Sequence, residues 1–355
     1  MSELTIKIGE DEKKYQSSLA YIDNLIILRF NATDSLAEIS CLIGDTYMHG
    51  DLLEEKFAIR MIDKNQTVYM DKSSIDGVKS IGRFYELQLN QIEIEYKNNI
   101  MDEGIIINLP PEQIEGLTKE SKRVAIEALG CKIVFGYCNE KTTSLVCPKD
   151  IQKFVVSLIS LYYCFPIEIL QEFRREETNN QTKVTFRSQR RSFENVGSRI
   201  NLYSKANDVV EFLSSANISH PHYMDLPRYA RQFIDSYSVS EPQRYNMLFA
   251  IASSYAEYIL EKGRHSGGDL LGFTITDLEV KGVSHIKKII TDANISRNGK
   301  KICRLDDLRN ESEHSLYSDA SYEFFDNNPS VNVFMDDIAC RIVMKLAGID
   351  ITERN

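Results

Sequence analysis

QRYNMLFAIASSYAEYILE, Gln243 to Glu261, is the stretch on which the fold of this chain turns. Leu248, Ile251, Tyr255 and Ile259 recur at three- and four-residue spacing, which lines them up as one apolar stripe on a helix. Gly263 ends the pattern, and Arg264-His265-Ser266-Gly267-Gly268 reads as a loop. The same period continues outward. Asp208 to Ser214 is a short amphipathic piece, and Leu226 to Tyr237 is another, with Pro227 early in it. Ser284 to Ala293 and Leu305 to Leu316 follow. Val331 to Leu346 carries Phe334, Ile338, Ile342 and Leu346 at strict four-residue steps before Gly348. Five or six helices over roughly 150 residues predict an all-α helical bundle across 206–355.

The first half reads differently. Leu4-Thr5-Ile6-Lys7-Ile8 alternates, as does Phe57-Ala58-Ile59-Arg60-Met61, which leads through Asp63-Lys64-Asn65-Gln66 to Val68 and Met70 as a hairpin. Leu87 and Leu89 share one phase, while Ile92, Ile94 and Tyr96 share the other. The slip at Asn90-Gln91 predicts a bulge or tight turn. Pro111 to Leu129 reads as a helix stopped by Gly130, and Lys132 to Tyr137 as a strand. A long helix is expected from about Lys149 to Arg175, kinked or split at Pro166. The expected fold is therefore an α+β N-terminal half with a mostly antiparallel sheet, over 1–180, followed by the helical bundle. A polar connection spans 181–205.

Composition narrows the classes. The chain has 355 residues, is 43% hydrophobic and carries a formal charge of -10, which suits a folded protein and argues against a general nucleic-acid coat protein. Its seven cysteines have no framework spacing and read as reduced thiols. The opening Met1-Ser2-Glu3-Leu4 lacks the basic and apolar regions of a secretion signal. Phe154 to Phe165, the most apolar run, is too short to span a bilayer. A cytoplasmic protein with no membrane partner is expected.

Acidity overall does not preclude a local basic patch. Between Lys183 and Lys205, the residues Lys183, Arg187, Arg190, Arg191, Arg199 and Lys205 stand against Glu194 alone, a net of +5, with Phe186, Phe193 and Tyr203 interleaved. Such a segment suits a phosphate backbone and stacked bases. Arg187, Arg190, Arg191 and Arg199 are thus candidate RNA contacts. The plainer reading is a solvated connection, or an edge strand packing its aromatics.

The sharpest chemistry lies in Arg309-Asn310-Glu311-Ser312-Glu313-His314, on the helix opened by Asp306-Asp307-Leu308. A histidine that takes the 2′-hydroxyl proton and an arginine that holds the growing phosphate charge suffice to cut RNA without a metal. At about 100° per residue, Asn310 and His314 share a helix face, while Arg309 lies about 140° around from His314 and must curl back to meet it. Two copies across a twofold axis would place two of each group in one cleft.

Leu308 to His314 resembles the signature of the HEPN family: arginine, a polar residue, then histidine five positions after the arginine. The C-terminal bundle resembles that family too, over about 206–349. The resemblance implies a metal-independent endoribonuclease of toxin or antiviral-defence type, with the abortive-infection proteins the nearest analogy. It implies a homodimer formed through the bundle, catalytic roles for Arg309 and His314, and a supporting role for Asn310. No cofactor or metal is expected. The family pattern often has a small or apolar residue before the histidine and glycine after it, where this chain has Glu313 and Ser315. Glu311 and Glu313 would repel RNA phosphate, yet would raise the His314 pKa. An ordinary surface helix with Arg309 paired to Glu313 accounts for the same residues.

Other constellations are weaker. Cys131, Cys138 and Cys147 lack zinc spacing, and His220-Pro221-His222 reads as a loop. Asp76 with Glu93, Glu95 and Lys97 is faintly similar to the carboxylate set of metal-dependent nucleases, though a solvated sheet face gives the same alternation. No Walker loop, dinucleotide fingerprint or nucleophile elbow is present. The expected function is RNA cleavage by the C-terminal bundle, with a protein or small-molecule trigger bound by the N-terminal domain. The alternatives are a non-catalytic HEPN-like binding or dimerisation module and a metal-dependent nuclease in the N-terminal half.

Overall fold

The computed structural model describes residues 2–8, 11–22, 25–31, 58–63, 66–70, 75–81, 84–97, 103–176, 181–189, 193, 206–297, 300–314 and 319–350. Two compact units emerge. The first comprises Met1–Val124, Val134–Cys147 and Glu168–Phe193, and the second Ala125–Ile133, Pro148–Ile167 and Glu194–Asn355.

The antiparallel strands are β1 (Ser2–Ile8), β2 (Asp11–Ile22), β3 (Leu25–Asn31), β4 (Ala58–Asp63), β5 (Gln66–Met70), β6 (Ile75–Ile81), β7 (Phe84–Leu89), β8 (Gln91–Lys97), β9 (Gly104–Ile107), β10 (Arg123–Ala128), β11 (Cys131–Asn139), β12 (Thr142–Val146), β13 (Ile169–Glu176) and β14 (Gln181–Arg187); they build the first unit, except that β10 from Ala125 and β11 up to Ile133 fall in the second. Among the described residues the ladder runs β10-β11-β12-β9-β13-β14-β8-β5-β4-β1-β2-β3-β7-β6. The hairpin expected at 57–70 is β4–β5, with Asp63 opposite Gln66.

The expected phase slip organises this unit. β7 and β8 are two halves of one strand, bent at Asn90, and Leu87, Leu89, Ile92 and Ile94 are all buried. An extra residue between the halves lets both turn apolar side chains inward despite the two-residue period. β3 lies along one edge of the first half, Ile26 opposite Leu89, and β14 continues that edge along the second, Arg187 opposite Gln91. Ser188 joins them: its hydroxyl donates to the Leu89 carbonyl at 2.5 Å and accepts from the Ile26 amide at 3.0 Å. The other edge carries β6 and β5. Because β5 runs on through β4, β1 and β2 to β3, these strands close into a ring with the bent strand as shared member.

One expected helix is absent and a second is shorter than expected. Pro111–Gln113 is only a single 3-10 turn, and Arg123–Ala128 is β10. Leu129 and Gly130 both have positive φ, at 58° and 71°, the conformation of a type I′ hairpin turn, so the glycine that suggested a helix stop makes a β-turn. The second correction falls at Pro166. Helix α1 (Lys149–Tyr163) ends at Cys164, whose φ is 49° and whose amide reaches the Leu161 and Ser160 carbonyls. Proline disfavours helical geometry in the residue before it, and the chain continues as β13, paired on both edges by β9 and β14. Pairing on two sides overrides the helical propensity of Leu170 to Arg175.

The second unit is helical as expected, with eight helices beyond α1 among the described residues: α2 (Val209–Ser215), α3 (Leu226–Asp235), α4 (Glu241–Ser254), α5 (Gly267–Asp277), α6 (Val283–Asp292), α7 (Leu305–His314), α8 (Asp319–Asn327) and α9 (Ser330–Leu346). A π-helical turn, Tyr255–Ile259, extends α4. The stripe residues Leu248, Ile251, Tyr255 and Ile259 are buried, and α4 packs against α3, α5, α7, α8 and α9. The described core includes fully buried Phe212, Tyr229, Phe233, Tyr245, Phe249 and Phe325. An ion pair is buried with them: Arg244 on α4 meets Asp336 on α9, and the guanidinium lies 4.3 Å from the Tyr237 ring centroid. No helix among the described residues is long and apolar enough to cross a membrane.

The expected loop at 264–268 is shorter than its glycines suggested. Ser266 caps α5, its hydroxyl accepting from the Asp269 amide at 3.3 Å. Both glycines serve packing. A Cβ on Gly267 would lie 3.3 Å from the Phe249 ring, and one on Gly268 would lie 2.8 Å from an Asp306 carboxylate oxygen.

Candidate active site

Helix α7 carries Arg309, Asn310 and His314. Asp306 and Asp307 occupy its first turn, where negative charge suits the helix dipole. Leu305, Leu308 and Ser312 are buried and recur at helical spacing, so they fix which face turns inward. Arg309, Asn310 and Glu311 are half-buried. His314 is the last residue of the helix, one turn after Asn310; its side chain and that of Glu313 lie outside the described residues.

Helix α4 sets how α7 sits. The Tyr245 hydroxyl donates to the Leu305 carbonyl at 2.8 Å. Burial, with Asp306 adding to it, pushes that phenol well above its usual pKa and keeps it a donor. Two turns on, the Ser312 hydroxyl donates to the Asn246 side-chain oxygen at 2.5 Å, with the Arg309 carbonyl as a second acceptor at 2.9 Å. The Arg309 guanidinium carbon lies 5.8 Å from the centre of the Phe249 ring. Cation–π attraction at that range is worth about 0.5–2 kcal/mol, depending on exposure. Tyr245, Asn246 and Phe249 went unremarked in the sequence. The available signal was their i, i+1, i+4 spacing on the clearest helix, beside the stripe that was read.

The basic segment is placed in part. Arg187 lies on β14, and its guanidinium meets Glu172 on β13 at 3.2 Å. Arg174 meets the same carboxylate at 2.7 Å. Burial would push the Glu172 carboxyl up, but the bonds from Arg174 and Arg187 outweigh it and hold it below its usual range. Lys183 reaches Glu93 at 3.8 Å. This stretch of the polar segment is thus a strand inside the sheet, paired on both edges, not a connection or an edge. Arg190, Arg191 and Arg199 lie outside the described residues.

Asp76 and Glu93, from the set that suggested a metal-dependent nuclease, sit at different places in the ladder. Asp76 falls at a ladder irregularity opposite Leu89 and Gln88, whereas Glu93 pairs with Tyr69 and Thr185. No group of three or more His, Cys, Asp or Glu among the described residues is arranged to hold a metal ion. Cys131, Cys138 and Cys147 are thiols that form no disulfide. The His220 ring nitrogen accepts from the His222 amide at 3.1 Å, which ties that pair into the loop they share.

The first unit also carries an open depression of about 620 Å³, lined by Lys119, Tyr137, Cys138, Lys141 and Gln171 among others. No family model, curated protein or solved structure matches this chain.

Proposed function

We propose that the protein is a metal-independent endoribonuclease of the HEPN type, acting as a homodimer through its helical unit. The observation that carries this reading is Arg309 and Asn310, half-buried on α7, with the inward face of that helix filled by Leu305, Leu308 and Ser312. Neutral His314 removes the 2′-hydroxyl proton of the RNA, and the freed oxygen attacks the adjacent phosphorus. Arg309 opposes the extra charge on the phosphorane, and Asn310 supports His314. A protonated histidine, that of the second copy, gives its proton to the leaving 5′-oxygen. The products are a 2′,3′-cyclic phosphate and a 5′-hydroxyl. Asp306, Asp307 and Glu311 on the same helix make the site selective about where phosphates lie, which suits a defined RNA over bulk RNA.

The reading extends to a cytoplasmic toxin or antiviral-defence role, in which a protein or small-molecule trigger binds the N-terminal unit. The open depression beside Tyr137 and Lys141 is the candidate place for a small trigger. The test is to incubate purified protein with total RNA in EDTA, wild type against His314→Ala, and sequence the fragment ends. Cyclic phosphate ends from wild type alone are expected. Cleavage that stops in chelator would overturn the metal-free mechanism. A folded dimer that never cuts, with or without metal, would favour a non-catalytic dimerisation module.

A further inference from the structure

Phe249 is placed unlike an ordinary core ring. It is 1% exposed, yet the guanidinium of half-exposed Arg309 lies over it. Three elements hold it still. The Tyr245 ring lies 6.2 Å away, centroid to centroid, on the same helix. Gly267, at the start of α5, lies so close that a Cβ would come within 3.3 Å of the ring. Arg309 on α7 covers it from a third direction. A ring so confined offers a fixed negative face to the guanidinium.

The second half of the arrangement is the Ser312 hydroxyl, completely buried and shared between Asn246 and the Arg309 carbonyl. It ties the backbone of Arg309 to α4 next to the ring that holds the Arg309 side chain. One helix thereby fixes the residue at both ends. We propose that Phe249 and Asn246 are positioning residues: the ring holds the Arg309 guanidinium, and Asn246, through Ser312, sets the rotation of the helix that carries Arg309 and His314. This rests on the ribonuclease reading for its catalytic consequence, but not for its geometry.

The test replaces Phe249 by phenylalanines with one, two and three ring fluorines, which drain the negative face while nearly keeping the volume. Expected is a stepwise fall in kcat of about three- to tenfold across the series, with KM unchanged, and no trend in an Arg309→Ala background. Asn246→Ala should lower kcat in the same way, and Asn246→Asp, which keeps the acceptor for Ser312, should restore it. A second readout needs no cleavage: the Arg309 side-chain proton resonances should be shifted by the ring current in wild type and lose that shift in Phe249→Leu. If His314→Ala abolishes cleavage while the fluorinated series and both Asn246 variants match wild type, the positioning proposal falls and the ribonuclease reading stands. If wild type cuts no RNA, that reading falls, and the resonances alone decide. An Arg309 signal indifferent to Phe249→Leu overturns the proposal.

Discussion

Arg187 and Arg309 are both half-buried arginines that the sequence marks for RNA, yet their surroundings differ. Arg187 sits in the sheet with its guanidinium on a carboxylate that also serves Arg174. Arg309 sits on a helix with its guanidinium over an aromatic ring. A carboxylate binds a cation by full charge–charge attraction, whereas an aromatic face adds a weaker, directional one. Position in a basic run therefore says less about phosphate binding than what lies under each guanidinium.

The widest separation between the two should come from deleting the side chains. Arg309→Ala and His314→Ala should each lower cleavage by about 10²- to 10⁴-fold, the usual range for a general base or a charge-stabilising group. Arg187→Ala under the same assay should change it by no more than about threefold. Equal losses from Arg187→Ala and Arg309→Ala would erase the distinction.

Stability offers a second contrast, between ion pairs of different burial. Asp336→Ala leaves Arg244 charged in the core and should destabilise the helical unit by about 3–5 kcal/mol in denaturant titration. Glu172→Gln, on a half-exposed pair, should remain within about 1 kcal/mol.

Glu172→Gln should also change binding, by releasing Arg174 and Arg187. RNA retention should rise and its salt dependence should steepen by about one to two phosphate contacts. A variant whose salt slope matches wild type would show that these arginines cannot reach RNA.

The smallest effect is in acid. Because the Glu172 carboxyl is depressed below its ordinary value of 4.5, its pairs contribute fully above that pH and are lost as pH falls through the lower folded value. Wild type should therefore lose a small increment of stability below pH 4.5 that Glu172→Gln lacks already at neutral pH.

Much of this was legible in the residues. The apolar stripe from Leu248 to Ile259 and the four-residue steps from Phe334 to Leu346 are local patterns, and local periodicity survives into the fold. So does the slip at Asn90, because both halves of that strand are buried. Failures came where distant partners decide. Leu170 to Arg175 has no strand signal stronger than its helical one, and only β9 and β14 on its two edges make it a strand. Val124, Ile126 and Ala128 do alternate, but Pro111 and Gly130 framed them as a helix. Gly267 and Gly268 looked like loop because their function is to let Phe249 and Asp306 approach, which no neighbour in sequence reveals. Likewise the α7 motif was visible, while the α4 residues that hold it lie about 60 positions upstream in the chain.

The bent strand through Asn90 has a mechanical consequence. It belongs both to the ring and to the ladder that continues through β14, so pulling this one strand out breaks hydrogen bonds in both. Amide exchange along 84–97 should therefore report a single opening event for both ladders. Removing one residue at the bend would turn one half of the strand inside out, exchanging its core-facing and solvent-facing rows.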